Sequence, residues 1–156
     1  MQLEVSNQYP NLSDPTAATQ ALVECLQNHS GFSLPPAELS IAFVTDSVIA
    51  DVHAQFMDDP TPTDVITFPA DSSMGSAGEI LVSVDHALAR ANELKLPFAQ
   101  ELSLYLAHGW LHLKGFNDTT PAEREAMRDA EKQALKALEQ WHQVIDFKII
   151  ELPENQ

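Results

Sequence analysis

The chain has 156 residues, which suits one domain of ordinary size that can bury a core without disulfides as staples. Hydrophobic residues make up 44% and charged residues 20%, and this composition excludes an intrinsically disordered chain. The net charge of −15 excludes a protein that coats nucleic acid or anionic lipid through a broadly basic surface. The net charge does not exclude a nucleic-acid enzyme with a small, locally positive site.

Cysteine content and the chain start indicate the compartment. Cys25 is the one cysteine, so the sequence excludes an intrachain disulfide and a cysteine zinc cluster, as is typical of a reducing compartment. The first ten residues lack the basic and apolar regions of a signal peptide, and no apolar run approaches the roughly 18 residues of a membrane span. We therefore expect a soluble, cytoplasmic protein that forms a single domain over residues 1–156.

Hydrophobic periodicity and turn residues predict four strands and five helices. In chain order they are a strand at 2–8, a helix from Asp14–Pro15 to about Gly31, a strand at 38–45, a helix capped by Asp46, strands at 64–69 and 79–84, and helices at about 85–95, 98–114 and 121–140. The prolines of the segment 58–64 end the second helix. This order predicts an α/β (α+β) fold with one mixed sheet packed by helices, and the strands 64–69 and 79–84 form an antiparallel edge.

The last helix has the clearest start signal in the chain. Thr120, Pro121 and Glu123 form a capping box with proline at the first helical position. Apolar residues follow at helical spacing and predict one buried stripe: Met127, Ala130, Ala134, Leu138 and Trp141. The same spacing on the first helix predicts that Cys25 is a buried apolar residue without a chemical role.

The candidate metal-binding residues lie in the segment HGWLHLKGFND, residues 108–118. His108 and His112 are four residues apart on a predicted helix, so their side chains share one face, about 6 Å apart in rise. Gly115 falls where a helix needs a left-handed residue to stop, and the returning chain can bring Asp118 beneath the two histidines. Two imidazoles and one carboxylate make three metal ligands and leave one position open for water or substrate, as in catalytic sites.

Two observations limit this interpretation. A helix C-terminus also favours histidines through the helix dipole, so a site without metal stays the alternative. Position 109 is glycine, where zinc peptidases of the His-x3-His type carry their glutamate base, and a glycine there would open space beside the metal for a group such as a phosphodiester. The spacing therefore predicts metal-dependent hydrolysis without the usual peptidase base, and the residues that complete catalysis are unknown.

This segment resembles the signature HGxLHLxGYDH of the YbeY family of endoribonucleases. Six specified positions match identically, and Phe116 stands for the tyrosine; the identical positions are His108, Gly109, Leu111, His112, Leu113 and Gly115. Two further blocks follow the family order: residues 62–69, PTDVITFP, are similar to its PTDVLSFP, and residues 78–83, GEILVS, are similar to its GDIVIS. The resemblance covers about residues 38–140.

The resemblance implies a mixed four-stranded sheet with about five helices and a zincin-like metal helix. It further implies one Zn²⁺ on His108, His112 and Asp118, and metal-dependent cleavage of single-stranded RNA in small-subunit rRNA maturation and ribosome quality control. The implied partners are an rRNA precursor and the small ribosomal subunit or an assembly factor, with neither DNA nor membrane among them.

The chain departs from the family pattern at two places that bear on function. Asp118 stands where the family usually has histidine. A carboxylate can also bind zinc, but it is a harder donor than imidazole and could favour iron or manganese. Met57 stands where many members carry an arginine thought to meet the phosphate, and Lys114 and Arg124 are the nearest other cations in sequence.

Four functions remain to be compared. The first is the metal-dependent endoribonuclease, and the second is a ribosome-assembly binding factor with a non-catalytic metal site, which Met57 favours. A zinc peptidase is disfavoured by Gly109. An iron oxygenase built on two histidines and a carboxylate is last, because such sites usually lie on β-sandwich strands and these histidines share a helix.

Overall fold

The computed structural model describes residues 1–59, 61 and 63–150. Within these residues it contains four β-strands, five α-helices and one short 3₁₀ helix. The strands are β1 (Gln2–Asn7), β2 (Glu38–Val44), β3 (Val65–Phe68) and β4 (Ser76–Ser83). The helices are α1 (Thr16–Asn28), α2 (Asp46–Met57), α3 (Val84–Leu94), α4 (Phe98–Lys114) and α5 (Pro121–Gln140), and the 3₁₀ helix is Ser72–Met74.

The four strands form one mixed sheet in the order β1-β2-β4-β3. β1, β2 and β4 run parallel, and β3 pairs antiparallel with β4, with Val65 opposite Val82 and Phe68 opposite Glu79. The predicted fold class and the predicted antiparallel edge are confirmed. β4 begins three residues earlier than expected, because the turn that ends at Gly75 lets Ser76 pair with Asp71.

Two helix starts differ from the prediction by one or two residues. α1 begins at Thr16, because the Asp14 carboxylate accepts the Thr16 backbone N–H at 3.0 Å and Pro15 takes the cap position. α2 is capped by the hydroxyl of Thr45, since the Asp46 carboxylate accepts a hydrogen bond from Ser83 Oγ at 2.6 Å instead.

α1 ends earlier than predicted, and α2 ends close to residues outside the described ranges. α1 ends at Asn28 and not near Gly31, since the chain is already extended at His29. α2 ends at Met57, and the two prolines expected to break it, Pro60 and Pro62, lie outside the described residues; Pro62 is also the first residue of the predicted PTDV block.

Most of the core lies on one face of the sheet, around α4. Leu102, Leu106, Trp110 and Leu111 of α4 are buried against the inward residues of the parallel strands. Alternate strand residues point to the opposite face, where Val44, Ile49 and Ile66 form a smaller cluster beneath α2. α4 is therefore held by the sheet and by the helices beside it, and it offers a rigid support for side chains along its remaining face.

The helix α5 packs on α4, and most of its predicted apolar stripe is buried. Met127, Ala130, Ala134 and Leu138 are buried, and both halves of the capping box at Thr120 and Glu123 are formed. Trp141 is only partly buried and follows the end of the helix. Cys25 is buried, and this burial raises the pKa of its thiol. In the described part of the chain, no helix is long and apolar enough to cross a membrane.

Candidate metal centre

The two histidines of α4 meet at the exposed end of the helix. His108 and His112 are one turn apart, and their Nε2 atoms lie 3.0 Å from each other. The ring centroids are 4.6 Å apart with a 83° angle between the ring planes, so the rings converge edge to face. The four-residue spacing predicts this shared face, and the structure adds that both Nε2 atoms point to one place.

A sharp turn brings the third side chain to the same place. α4 stops at Gly115, whose φ of 116° is accessible to glycine and costly for other residues. The Gly115 N–H donates to the carbonyls of Leu111 and His112, and the chain then reverses. Asp118 Oδ2 consequently lies 3.4 Å from the Nε2 atoms of both His108 and His112.

The start of α5 fixes the other side of Asp118. Thr119 Oγ1 donates to Glu123 Oε1 at 2.8 Å, and the Thr120 N–H donates to the same oxygen at 3.0 Å. Arg124 Nη1 donates to the Thr119 carbonyl at 3.1 Å. Asp118 is therefore held between the end of α4 and the capping box of α5, which limits the conformational freedom its carboxylate must lose on binding an ion.

The three donor atoms fit a divalent metal ion. The ligand atoms of His108, His112 and Asp118 all lie within 4.8 Å of one another, and their closest contacts are 3.0 to 3.4 Å. Donors about 2.0–2.1 Å from a tetrahedral zinc ion lie about 3.3 Å apart, which matches these contacts. The donor set of two imidazoles and one carboxylate also suits zinc and other first-row metals.

Glu131 of α5 adds a contact that the motif spacing does not indicate. Its Oε2 lies 3.4 Å from His108 Nδ1, on the side of the ring opposite Asp118. A neutral imidazole that donates from Nδ1 presents the lone pair of Nε2, so Glu131 selects the tautomer that a metal requires. The sequence contains a signal for it: Glu131 lies one helical turn after the buried Met127, at the edge of the stripe that packs on α4.

Acidic groups surround His108 and set its protonation. Burial of the ring lowers its pKa, but the hydrogen bond and charge of Glu131, with the charges of Asp64 and Asp118, outweigh burial and raise the pKa overall. The same negative charges favour any cation at Nε2. The site therefore attracts either a proton or a metal ion, and the two compete for the same nitrogen.

Gly109 has a different role from the one its position in the motif suggests. A Cβ at Gly109 would lie 2.9 Å from Ile80 Cγ2, 3.2 Å from Thr67 Cγ2 and 3.3 Å from Val65 Cγ2. The expected open space beside the metal is therefore wrong for this residue: Gly109 lets α4 pack closely on β3 and β4. A glutamate at this position would collide with the sheet, which also argues against a peptidase mechanism.

Lys114 and Arg124 are the cations nearest to the motif in sequence, and both donate hydrogen bonds to backbone carbonyls. Lys114 Nζ donates to the Ser33 carbonyl at 2.8 Å, and Arg124 holds the Thr119 carbonyl beside the site. Met57 is half exposed at the end of α2. Among the described residues, neither Lys114 nor Arg124 donates a hydrogen bond to the three ligand side chains.

Comparison with protein families and curated proteins gives one consistent result. A family model described as Endoribonuclease YbeY matches residues 4–139 of the chain. The Endoribonuclease YbeY of Beutenbergia cavernae is 34% identical over 148 residues, which cover 86% of this chain and 95% of that protein. The Endoribonuclease YbeY of Chlamydia felis is 31% identical over 150 residues, covering 90% of this chain and 93% of that protein.

A solved structure shares the fold. The solution structure of a protein from Thermotoga maritima superposes with a TM-score of 0.62 over 87% of this chain and 88% of that one. The two chains are 22% identical, so this likeness concerns the fold alone.

Proposed function

The chain belongs to the YbeY family of endoribonucleases, and from that premise we propose that it cleaves single-stranded segments of ribosomal RNA with the help of one metal ion. The observation that carries the proposal is the meeting of His108, His112 and Asp118 at donor distances that fit one ion. Small-subunit rRNA is the substrate that we propose, with processing and quality control of ribosomes as the context.

We propose zinc as the resident ion, held by His108 Nε2, His112 Nε2 and Asp118 Oδ2. A divalent ion with an open position supplies Lewis-acid polarisation of a phosphoryl oxygen and lowers the pKa of water. The carboxylate of Asp118 adds one negative charge and a harder donor than a third histidine, which makes iron or manganese the second choice.

The side chains of this protein contribute orientation in this proposal. Glu131 keeps the proton of His108 on Nδ1, so that Nε2 stays available as a donor. Gly115 and the capping box keep Asp118 beneath the histidines. Gly109 seats α4 on the sheet, and this close packing fixes the direction in which both histidines point.

The proposal is tested with a labelled ribosomal RNA fragment that contains a single-stranded segment and a duplex segment. The purified protein should cut the single-stranded segment, lose this activity in a chelator, and regain it with zinc. Cleavage that continues after the metal has been removed and verified as absent would overturn the metal dependence. Equal cutting of both segments would overturn the strand preference.

The second candidate is a ribosome-assembly factor whose metal is not catalytic. Met57 in place of the family arginine favours it, because methionine cannot bind a phosphate. This candidate predicts co-sedimentation with small ribosomal subunits or their precursors and no RNA cleavage by a protein that contains its metal. Failure to co-sediment would exclude it.

We also propose that residues 1–156 act as one unit in the cytoplasm. The support is that α1, α4 and α5 share one core with the sheet, and that the proposed rRNA substrate is assembled into ribosomes in that compartment. Separate expression of residues 1–59 and 64–156 should yield fragments that do not fold, and a stably folded fragment would contradict the single unit.

A further inference from the structure

Positive charge in this protein is scarce and concentrated on one helix. The chain has 8 Lys and Arg residues against 23 Asp and Glu residues. Half of the 8 lie on α5, each four residues after the one before it: Arg124, Arg128, Lys132 and Lys136. Residues four apart lie one turn apart on the same side of a helix, so these four side chains form a row about 18 Å long. We call this set the basic row.

The basic row is open to a ligand. All four side chains are exposed. Among the described residues, the ion pairs that involve Lys or Arg are Arg90–Glu93 and Lys148–Asp146, and neither includes a member of the row. α5 also carries exposed acids, yet none of the described ones lies within ion-pair distance of the row. The four positive charges are therefore available to an external anion.

The row begins beside the metal centre. Its first member, Arg124, donates to the carbonyl of Thr119, the residue next to Asp118. Glu131, which contacts His108 Nδ1, lies between the second and third members, Arg128 and Lys132. A strand whose reacting phosphate is at the metal ligands can therefore continue along α5 without leaving the protein surface.

The row ends at a cavity with aromatic side chains. Lys132 and Lys136 line a cavity of about 630 Å³ together with Trp141 and His142. The Trp141 and His142 rings have centroids 4.4 Å apart, and His142 is exposed. The Trp141 indole N–H is buried and has no acceptor among residues 1–59, 61 and 63–150. Aromatic side chains beside a positively charged track are typical of surfaces that bind single-stranded nucleic acid.

We propose that the basic row is the path of the RNA backbone leading away from the metal centre, and that a base is bound at Trp141 and His142. This inference rests on the proposed function, since it assumes an RNA substrate at the metal site. It explains how a chain of net charge −15 that lacks the family arginine at Met57 holds a polyanion: the phosphates meet a local row of cations on α5.

The test measures binding separately from cleavage. A fluorescent single-stranded oligoribonucleotide is titrated with protein in a chelator, and its anisotropy is followed at several salt concentrations. Lys132→Gln/Lys136→Gln is the main variant, because neither side chain contacts the Asp118 turn. Lys95→Gln/Lys148→Gln is the matched control, since it removes the same charge elsewhere and brings the net charge to the same value.

Each phosphate contact on a single strand contributes about 0.7 to the slope of log affinity against log salt. The main variant should lower that slope by about 1.4 and weaken binding at 0.1 M salt by roughly 25-fold, about fivefold for each charge. The control should bind as the unmodified protein does. His142→Ala should weaken binding by at least about fivefold, as expected for the loss of stacking on one base.

Equal RNA binding by the main variant and the control, both shown to be folded by circular dichroism, would overturn the proposed RNA path. If the unmodified protein still cuts RNA, the endoribonuclease proposal would stand. Binding that depends on the row in a protein that never cuts RNA would support the path and overturn the proposed cleavage instead. A row-dependent affinity for an acidic peptide, with none for RNA, would assign the row to a protein partner and overturn the path.

Discussion

At the scale of single residues, the donor atoms owe their arrangement to neighbours outside the motif. His108 is oriented by Glu131, which is 23 positions away in the sequence and lies on another helix. Asp118 is positioned by the turn at Gly115 and by the capping box of α5. The motif spacing predicts which side chains share a face, whereas the selection of a tautomer requires the packing of α5 on α4, which spacing does not define.

The contact between Glu131 and His108 gives the first prediction. Glu131→Ala should lower the affinity for zinc by about 10–100-fold, because the loss of a carboxylate behind a metal-binding imidazole typically has that effect. The zinc affinity of Glu131→Gln should lie between those of the unmodified protein and Glu131→Ala, since an amide oxygen still accepts a hydrogen bond from Nδ1 but carries no charge. Competition with a chromophoric chelator measures the affinity, and Glu125→Gln, an exposed glutamate on the same helix, is the control.

An Ala variant at position 131 that binds zinc as the unmodified protein does would show that the His108–Glu131 contact is incidental. Thermal unfolding of each variant without metal separates this result from a loss of fold.

At the scale of elements, the close approach of α4 to the sheet is the feature on which the site depends. α4 lies against β3 and β4 at the point where Gly109 faces Ile80, Thr67 and Val65. Helix periodicity predicts a helix at about 98–114, and the structure confirms it as α4 (Phe98–Lys114). It does not predict which helical face carries the glycine against the sheet, and this is why an open space beside the metal was expected there.

Substitution of Gly109 tests this packing. Gly109→Ala places a Cβ 2.9 Å from a methyl group of Ile80, a β-branched residue on a central strand that has little freedom to move. Overpacking typically costs about 1–3 kcal/mol, and the better helix propensity of alanine returns about 1 kcal/mol. We expect a net loss near 1 kcal/mol, seen as a decrease of about 2–4 °C in the melting temperature.

Gly31→Ala is the matched control, because its Cβ would meet only His29 at an ordinary distance of 3.5 Å. A Gly109→Ala protein that melts at or above the temperature of the control would contradict the close packing of α4 on β3 and β4.

The boundaries of other elements show where sequence patterns stop being informative. The cap of α2 moves from Asp46 to Thr45 because Ser83, at the end of β4, competes for the Asp46 carboxylate. β4 begins earlier than its hydrophobic run because backbone pairing with Asp71 extends it. The first shift follows from a contact between residues 37 positions apart. The second follows from backbone pairing across the turn at 71–76, a segment without hydrophobic alternation.

At the scale of the whole molecule, charge acts in two opposite ways as the pH falls. The net charge of −15 produces self-repulsion in the folded state, which protonation relieves. In contrast, hydrogen bonds from hydroxyl groups at turn and helix starts lower the pKa of four carboxyl groups: Asp14, Asp59, Asp71 and Glu123. A carboxyl group whose pKa is lowered by folding stabilises the fold at neutral pH, and that contribution is lost as the pH falls through its folded pKa.

These two effects predict a maximum of stability in mild acid. The melting temperature should hold or rise as the pH falls from 8 to 5, and it should decrease below about pH 4, where the four carboxyl groups take up protons. Differential scanning calorimetry across this range gives the profile. A melting temperature that does not fall between pH 5 and pH 3 would show that the four lowered carboxyl pKa values contribute little to stability.

The distribution of charge also shows what composition can and cannot predict. The net charge of −15 excludes a broadly basic surface. The four-residue spacing of half the basic residues on one exposed side of α5 is visible in the sequence. That this side lies beside the proposed metal centre is shown only by the contacts of Glu131 with His108 and of Arg124 with the Thr119 carbonyl.

The most direct test of the account is the cleavage of a labelled single-stranded RNA by the unmodified protein and by His108→Ala, purified in parallel. His29→Ala, which removes a histidine outside the ligand group, is the control. We expect the unmodified protein and the control to cut, and His108→Ala to lose at least about 100-fold in rate, since loss of a ligand should exceed the effect of losing a residue behind it. Cutting by His108→Ala at the rate of the unmodified protein would contradict the assignment of the activity to this metal centre.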